Sequence, residues 1–187
     1  MRISDDRYSR DRLRLDIAMH FIRHEARTHT IRQWTGLTDD RIRKLYRSYL
    51  LVGGGPLARH RGKSPQQAAY FLRTVGLRQE SAVFAAICCL LGLLEPRPDG
   101  QTASPPGGVS RAAALCQAYE VYRAAVPAPA IGFEHAVLLV NALIRGTELR
   151  LRTCCRCHAL VVADSVALRP PHCTVCAAGH SEGLAPV

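Results

Sequence analysis

The stretch Thr153-Cys154-Cys155-Arg156-Cys157-His158, answered after a short interval by His172-Cys173-Thr174-Val175-Cys176, decides how the rest of the chain is read. Two CxxC pairs stand fifteen residues apart, Cys154-x2-Cys157-x15-Cys173-x2-Cys176. That spacing falls inside the two-knuckle zinc pattern. Each CxxC turn folds two sulfurs to one side of a metal, and a hairpin of about fifteen residues brings the second pair opposite. Zinc asks for four tetrahedral soft ligands, and thiolates supply them at about 2.3 Å. So short a module buries little apolar surface, so metal binding is expected to supply most of its folding free energy. Four protein ligands close the site, which makes it structural rather than catalytic.

Other uses of these cysteines stay open at this point. A redox dithiol asks for one CxxC at a helix N-terminus in a βαβ setting, which the surrounding sequence does not offer. Two disulfides conflict with a reducing compartment. Cys155 lies beside Cys154 and can exchange with it, and His158 or His172 can replace one thiolate. Arg150, Arg152, Arg156 and Arg169 surround the module, suited either to phosphate contact or simply to solubility.

Upstream of the module the pattern is helical, with no internal repeat. Leu13, Ile17, Phe21 and, beside them, Met19 and Ile22 form a stripe in a first helix over about Ser9 to Ala26. A short helix follows through Trp34, Gly36 interrupts, and Thr38 caps a helix to about Leu51 with Asp39 and Asp40 at its positive end. Gly53-Gly54-Gly55-Pro56 stops it. Ser64-Pro65-Gln66-Gln67 reads as the start of a helix ending near Gly76. Ser81 to Glu95 is the most apolar helix, and Pro96 to Gly108 reads as a flexible loop. Helices from Ser110 to the Pro127/Pro129 break and from Ile131 to Thr147 complete the body. Short strands are expected only at Val161-Val162 and near Val166 to Leu168. The fold class is therefore mainly α: a multi-helix body with an N-terminal helix-turn-helix-like segment and a small C-terminal four-Cys zinc-ribbon-like module. The division is a DNA-binding and oligomerisation body at 1–148, a zinc-binding module at 149–177 and a disordered tail at 178–187. Cys88, Cys89 and Cys116 fall in apolar helical runs and are read as core side chains.

Charge narrows the function. The 187 residues carry 25 Lys and Arg against 15 Asp and Glu, a net of +10, with 23 of the cations being Arg. Residues 1–63 hold 15 cations against 7 anions, whereas 64–187 hold 10 against 8, so the excess is N-terminal. Clustered cations of this kind suit a polyanion, since they release the counterions of a phosphate backbone. The plainer alternative is a solvated, Arg-rich face. Thr28 to Tyr49 fits a helix-turn-helix frame, with Ile31, Leu37, Ile42 and Leu45 locking two helices and Gly36 in the turn. Its second helix presents Arg41, Arg43, Lys44 and Arg47, and the loop beyond adds Arg59, Arg61 and Lys63; these seven are the DNA-binding candidates. Arg32 departs from the frame, standing where a small residue usually allows close packing.

Enzyme, membrane and export classes are not expected. No convincing Ser/His/Asp set or open metal site is visible, and Gly53-Gly54-Gly55 lacks the Lys-Ser/Thr of a phosphate loop. The longest apolar run, Ala82 to Leu94, has 13 residues, short of the about 20 that span a bilayer. No apolar segment follows Met1 within signal-peptide reach, so a cytoplasmic location is expected.

The ordered combination of Asp16-Ile17-Ala18-Met19, then Arg41-Ile42-Arg43-Lys44-Leu45-Tyr46 before a Gly/Pro break, then Ala118-Tyr119-Glu120-Val121-Tyr122 and the two cysteine knuckles resembles the FlhC family over residues 12–177. The resemblance implies a transcriptional activator that assembles with FlhD, commonly as four FlhD and two FlhC chains. It further implies binding upstream of flagellar class II promoters, recruitment of RNA polymerase, and one zinc held by Cys154, Cys157, Cys173 and Cys176. The sequence departs from that family in carrying His158 where Gly often follows the first knuckle. Its Pro-rich loop is longer, and it lacks the basic tail of some relatives. Two alternatives stand beside it: a zinc-containing protein-interaction adaptor, and a divergent regulator of non-flagellar genes.

Overall fold

A computed structural model describes residues 3–51, 63–97, 100–104 and 108–179. In chain order the elements are α1 (Ile3–Arg23), α2 (Thr28–Thr35), α3 (Asp39–Leu51), a 3-10 turn (Ala68–Leu72), α4 (Val75–Leu90), β1 (Glu95–Pro96), β2 (Thr102–Ala103), α5 (Val109–Ala125), α6 (Phe133–Arg145), β3 (Leu149–Thr153), β4 (Leu160–Asp164) and α7 (Thr174–Ala178). The described chain is thus mainly helical. It divides into two compact units, Met1–Ser64 with Pro106–Gln117, and Pro65–Pro105 with Ala118–Val187. The body expected at 1–148 is therefore two packing units, and the cysteine hairpin shares the second of them.

In the first unit α1, α2 and α3 pack on one another. Ile17, Ala18, Phe21 and Ile22 of α1 are buried together with Ile31, Trp34, Leu37 and Ile42. Leu13 was expected in this stripe but is half exposed. At 100° per residue the buried face centres between Ala18 and Phe21, which leaves Leu13 roughly 110° to one side. Gly36 ends α2 at φ 71°, its N–H donating to the Arg32 carbonyl at 2.9 Å. Left-handed backbone of this kind is free of cost only for glycine. Thr38 Oγ1 then accepts from the Arg41 N–H at 3.4 Å and opens α3. The Tyr46 hydroxyl donates to the Ala26 carbonyl at 2.5 Å, tying α3 to the α1–α2 turn. Arg32 is exposed and pairs with Asp39 at 3.7 Å, so its side chain does not sit between the helices. The Gly53–Pro56 stop, Arg59, His60 and Arg61 lie outside the described residues, as does the tail beyond Gly179.

In the second unit the helix expected from Ser64 to Gly76 does not form. Residues 63–67 hold no regular element; the 3-10 turn then buries Ala68 and Phe71, three residues apart as that geometry requires. Thr74 is the effective cap, its Oγ1 accepting from Leu77 N–H at 3.1 Å, and Gly76 sits inside the first turn of α4. Burial of Ser81, Phe84, Ala85 and Cys88 follows the 3.6-residue period. The helix stops at Leu90 rather than Glu95. Gly92 turns the chain at φ 68°, and the N–H groups of Leu93 and Leu94 both return to the Cys88 carbonyl, burying two leucines that a straight helix would have carried onward. Cys88 and Cys116 are buried and Cys89 is half-buried. Within the Pro-rich segment, Glu95 and Pro96 pair antiparallel with Ala103 and Thr102, a short ribbon the sequence did not suggest.

β3 and β4 form an antiparallel hairpin, Leu149 opposite Asp164 through Thr153 opposite Leu160. β3 lies against α6 and β4 against α4. Val161 and Val162 are in a strand as expected, but Val166 and Leu168 are not: they lie in an exposed loop, Leu168 being 99% exposed. β3 was not foreseen, because its apolar residues are only Leu149 and Leu151, separated by arginine. Among the described residues no helix is long and apolar enough to cross a membrane.

Candidate metal centre

The first knuckle grows out of β3. Leu149 and Leu151 turn inward while Arg150 and Arg152 face solvent, and Cys154 follows as a fully buried residue. The Cys154 N–H donates to the Ala159 carbonyl at 2.8 Å and the His158 N–H to the Cys154 carbonyl at 2.9 Å, closing a tight loop between β3 and β4. That loop needs a left-handed residue, and His158 supplies it at φ 59°. The second knuckle leads into α7, where the Cys173 sulfur accepts from the Cys176 N–H at 3.3 Å. One backbone bond, Cys155 N–H to the Pro171 carbonyl at 3.0 Å, joins the two knuckles directly.

The sulfurs of Cys154, Cys157, Cys173 and Cys176 all lie within 4.8 Å of one another, with Cys157 and Cys173 at 3.6 Å. Tetrahedral thiolates at a zinc–sulfur length of about 2.3 Å stand about 3.8 Å apart, so the cluster has the dimensions to hold a metal ion. None of the eight cysteines is in a disulfide. Cys173 does head a helix, but one of five residues, and its sulfur is gathered with the other knuckle's pair rather than set apart as a redox dithiol.

Electrostatics favour the same chemistry. N–H groups of Cys157, then Cys173 and Arg156, hold the Cys154 thiol down to about 5. The N–H of Cys176 lowers Cys173. Cys176 is pushed up to about 12, first by its hydrogen bond to Cys173 and then to Cys157. A thiolate stabilised by backbone dipoles beside thiols that share protons is a set ready to exchange those protons for a cation.

Cys155, which was open to exchange into the set, is outside it. Its sulfur faces His172, 3.4 Å from Nδ1 and 3.6 Å from Nε2. Sequence reasoning weighed His172 only as a substitute ligand; its position immediately before Cys173, mirroring Cys155 after Cys154, was the available signal. Two of the surrounding arginines have local partners: Arg150 Nε donates to the Gly146 carbonyl and Arg152 Nη1 to the Ala167 carbonyl.

The DNA-binding candidates fall in the other unit. Arg41, Arg43, Lys44 and Arg47 are all exposed on α3. Arg41 pairs with Asp11 at 3.2 Å and Arg43 with Asp40 at 3.0 Å. Lys63 is exposed, and Arg59 and Arg61 are outside the described residues. No protein-family model matches the chain, and no curated protein matches it in sequence.

Proposed function

We propose that this chain is a DNA-binding transcriptional activator subunit of the FlhC type. In this reading α2, the Gly36 turn and α3 act as a helix-turn-helix, and one structural zinc sits on Cys154, Cys157, Cys173 and Cys176. An FlhD-type partner and RNA polymerase complete the assembly at flagellar promoters in the cytoplasm. The observation that carries the reading is the outer face of α3: Arg43, Lys44 and Arg47 stand exposed at one helical stripe while Ile42, on the opposite side, is fully buried. A rigid cationic helix face of this kind suits the major groove or its flanking phosphates. The ordered likeness to FlhC supports the partner and the promoter class. Zinc is the metal favoured by four thiolates without an open position, and its role there is to hold the knuckles.

The test is a mobility-shift titration of the full chain with its FlhD-type partner. Affinity should fall steeply with salt, by a log–log slope of about 0.9 per phosphate neutralised. A flat salt response overturns the reading. A second reading, a protein-interaction adaptor, is favoured by the exposed Leu168, Val166 and Val175 around the cysteine module. Charge reversal at Arg43 and Lys44 separates the two, because only an adaptor keeps its promoter occupancy.

A further inference from the structure

Trp34 is the only tryptophan of the chain and stands just before the Gly36 corner between α2 and α3. Thr35 beside it ties the corner locally, its Oγ1 donating to the Ile31 carbonyl at 2.6 Å and accepting from the Leu37 N–H at 3.3 Å. The indole itself is approached from two other helices. The Phe21 ring of α1 lies 6.2 Å away, centroid to centroid, and the Arg111 guanidinium of α5 lies over the indole at 4.8 Å. The segment Pro106–Gln117 belongs to the same packing unit as α1, α2 and α3, so this contact is made inside that unit. The Arg111 Nε is buried without a hydrogen-bond partner. That loss of water is offset in part by the ring face, whose quadrupole attracts a cation within about 6 Å of its centroid.

We infer that Arg111 is a positioning residue for the proposed helix-turn-helix: through Trp34 it pins the corner from α5 and keeps α3 in the orientation in which its outer cations meet a duplex. The inference rests on the DNA-binding reading above. It adds to that reading a residue far beyond Thr28–Tyr49 in sequence, which acts without touching DNA. Its action is on populations. A loosened corner lowers the fraction of chains in the binding orientation, and the apparent dissociation constant rises in inverse proportion to that fraction. A cation that touches phosphate acts differently, because its loss lowers the salt slope by about 0.9.

The experiment has two arms. One is a salt titration of promoter-duplex binding by the full chain with its FlhD-type partner. The other is acrylamide quenching of Trp34 fluorescence in the full chain alone, where no other tryptophan contributes. Arg111→Ala should raise Kd by about two- to tenfold at an unchanged salt slope, and should increase quenching by uncovering one face of the indole. Arg111→Lys, which keeps a cation near the ring, should return part of both. Should Arg111→Ala lose helical circular dichroism, Arg111→Gln keeps the stem without the charge and carries the same expectations. An unchanged Kd beside a steep salt response in the parent overturns the inference alone. A slope lowered by one contact with quenching unchanged also overturns it, since Arg111 would then be a phosphate contact. A flat salt response in the parent overturns the DNA-binding reading, and this inference with it.

Discussion

Arg41 of α3 reaches back to Asp11 of α1, its Nη1 3.2 Å from Oδ2, so this cation of the candidate recognition helix is engaged by another helix, whereas Arg43 pairs only within α3, with Asp40. The Arg41 and Asp11 side chains are both 47% exposed, and an ion pair of that kind is worth about 0.2–1 kcal/mol. Breaking it is therefore cheap, and the two ends of α3 should behave differently. Lys44→Glu with Arg47→Glu should lower the salt slope of duplex binding by roughly two, since each phosphate contact contributes about 0.9. Arg41→Ala should change the slope by less than one such contact and cost under about 1 kcal/mol in a urea melt. Equal losses of slope for the two variants would show that Arg41 is not held back by Asp11.

Metal removal should be local. The hairpin is anchored by Leu149, Leu151, Val161 and Val162, all buried, and its strands rest on α4 and α6. Metal binding is expected to supply most of the module's folding free energy, and the contact of the strands with α4 and α6 gives the hairpin a second source that the knuckles share less. α7 is five residues long and buries none of them, so apart from its contact with α4 it relies on the cysteine cluster to hold it. Isolated helices of that length are not stable in water. Chelation, or Cys173→Ser, should abolish amide protection at residues 154–158 and 173–178 while leaving β3, β4 and the helical circular dichroism nearly intact. Loss of protection throughout β3 and β4 would contradict this.

What the sequence made legible follows from which signals are local. The α2–Gly36–Thr38–α3 succession was readable because glycine and a capping threonine act within a few residues. The four-cysteine set was readable because ligand spacing is a covalent property of the chain. Ser64-Pro65-Gln66-Gln67 misled because Thr74 offered a competing cap, and only burial of Ala68 and Phe71 in a 3-10 turn decided between them. β3 was invisible for the opposite reason: two leucines between arginines carry too little pattern to announce a strand that α6 defines from the other side. The Cys155–His172 approach depends on the Pro171 carbonyl meeting a backbone N–H across the two knuckles, a long-range bond that no spacing rule encodes.

In the second unit the Tyr122 hydroxyl donates to a Glu80 carboxylate oxygen and accepts from the Ile131 N–H, while Ala130 N–H donates to the same carboxylate oxygen at 2.9 Å. Tyr122 is fully buried, and burial, followed by the hydrogen bond to Glu80, raises its pKa. A raised acid favours the neutral hydroxyl in the fold. Its contribution is thus complete below the unfolded tyrosine value of about 10 and is lost as pH climbs through the higher folded value. Tyr122→Phe should cost about 1–3 kcal/mol at neutral pH, because it leaves the Glu80 oxygen and the Ile131 N–H short of a partner. It should also flatten the fall of stability above about pH 10. An unchanged alkaline limb in the variant would place that titration elsewhere.

His158 holds the first knuckle's closing turn at φ 59°, a conformation that histidine tolerates better than most residues but glycine adopts freely. Left-handed backbone costs a non-glycine residue roughly 1–2 kcal/mol, and glycine gives back about 0.4–1 kcal/mol through the entropy of the unfolded chain. His158→Gly should therefore be neutral or stabilising by up to about 1 kcal/mol in the metal-loaded protein. The His158 side chain is exposed, so little packing is lost with it. His158→Val should destabilise by at least about 1 kcal/mol, since a β-branched residue is strongly disfavoured at this φ. Thermal melts of the two variants at saturating Zn2+ check the pair. The order glycine, histidine, valine from most to least stable is the expected result, and a valine variant as stable as the parent would mean that the turn relaxes out of the left-handed region when the metal binds.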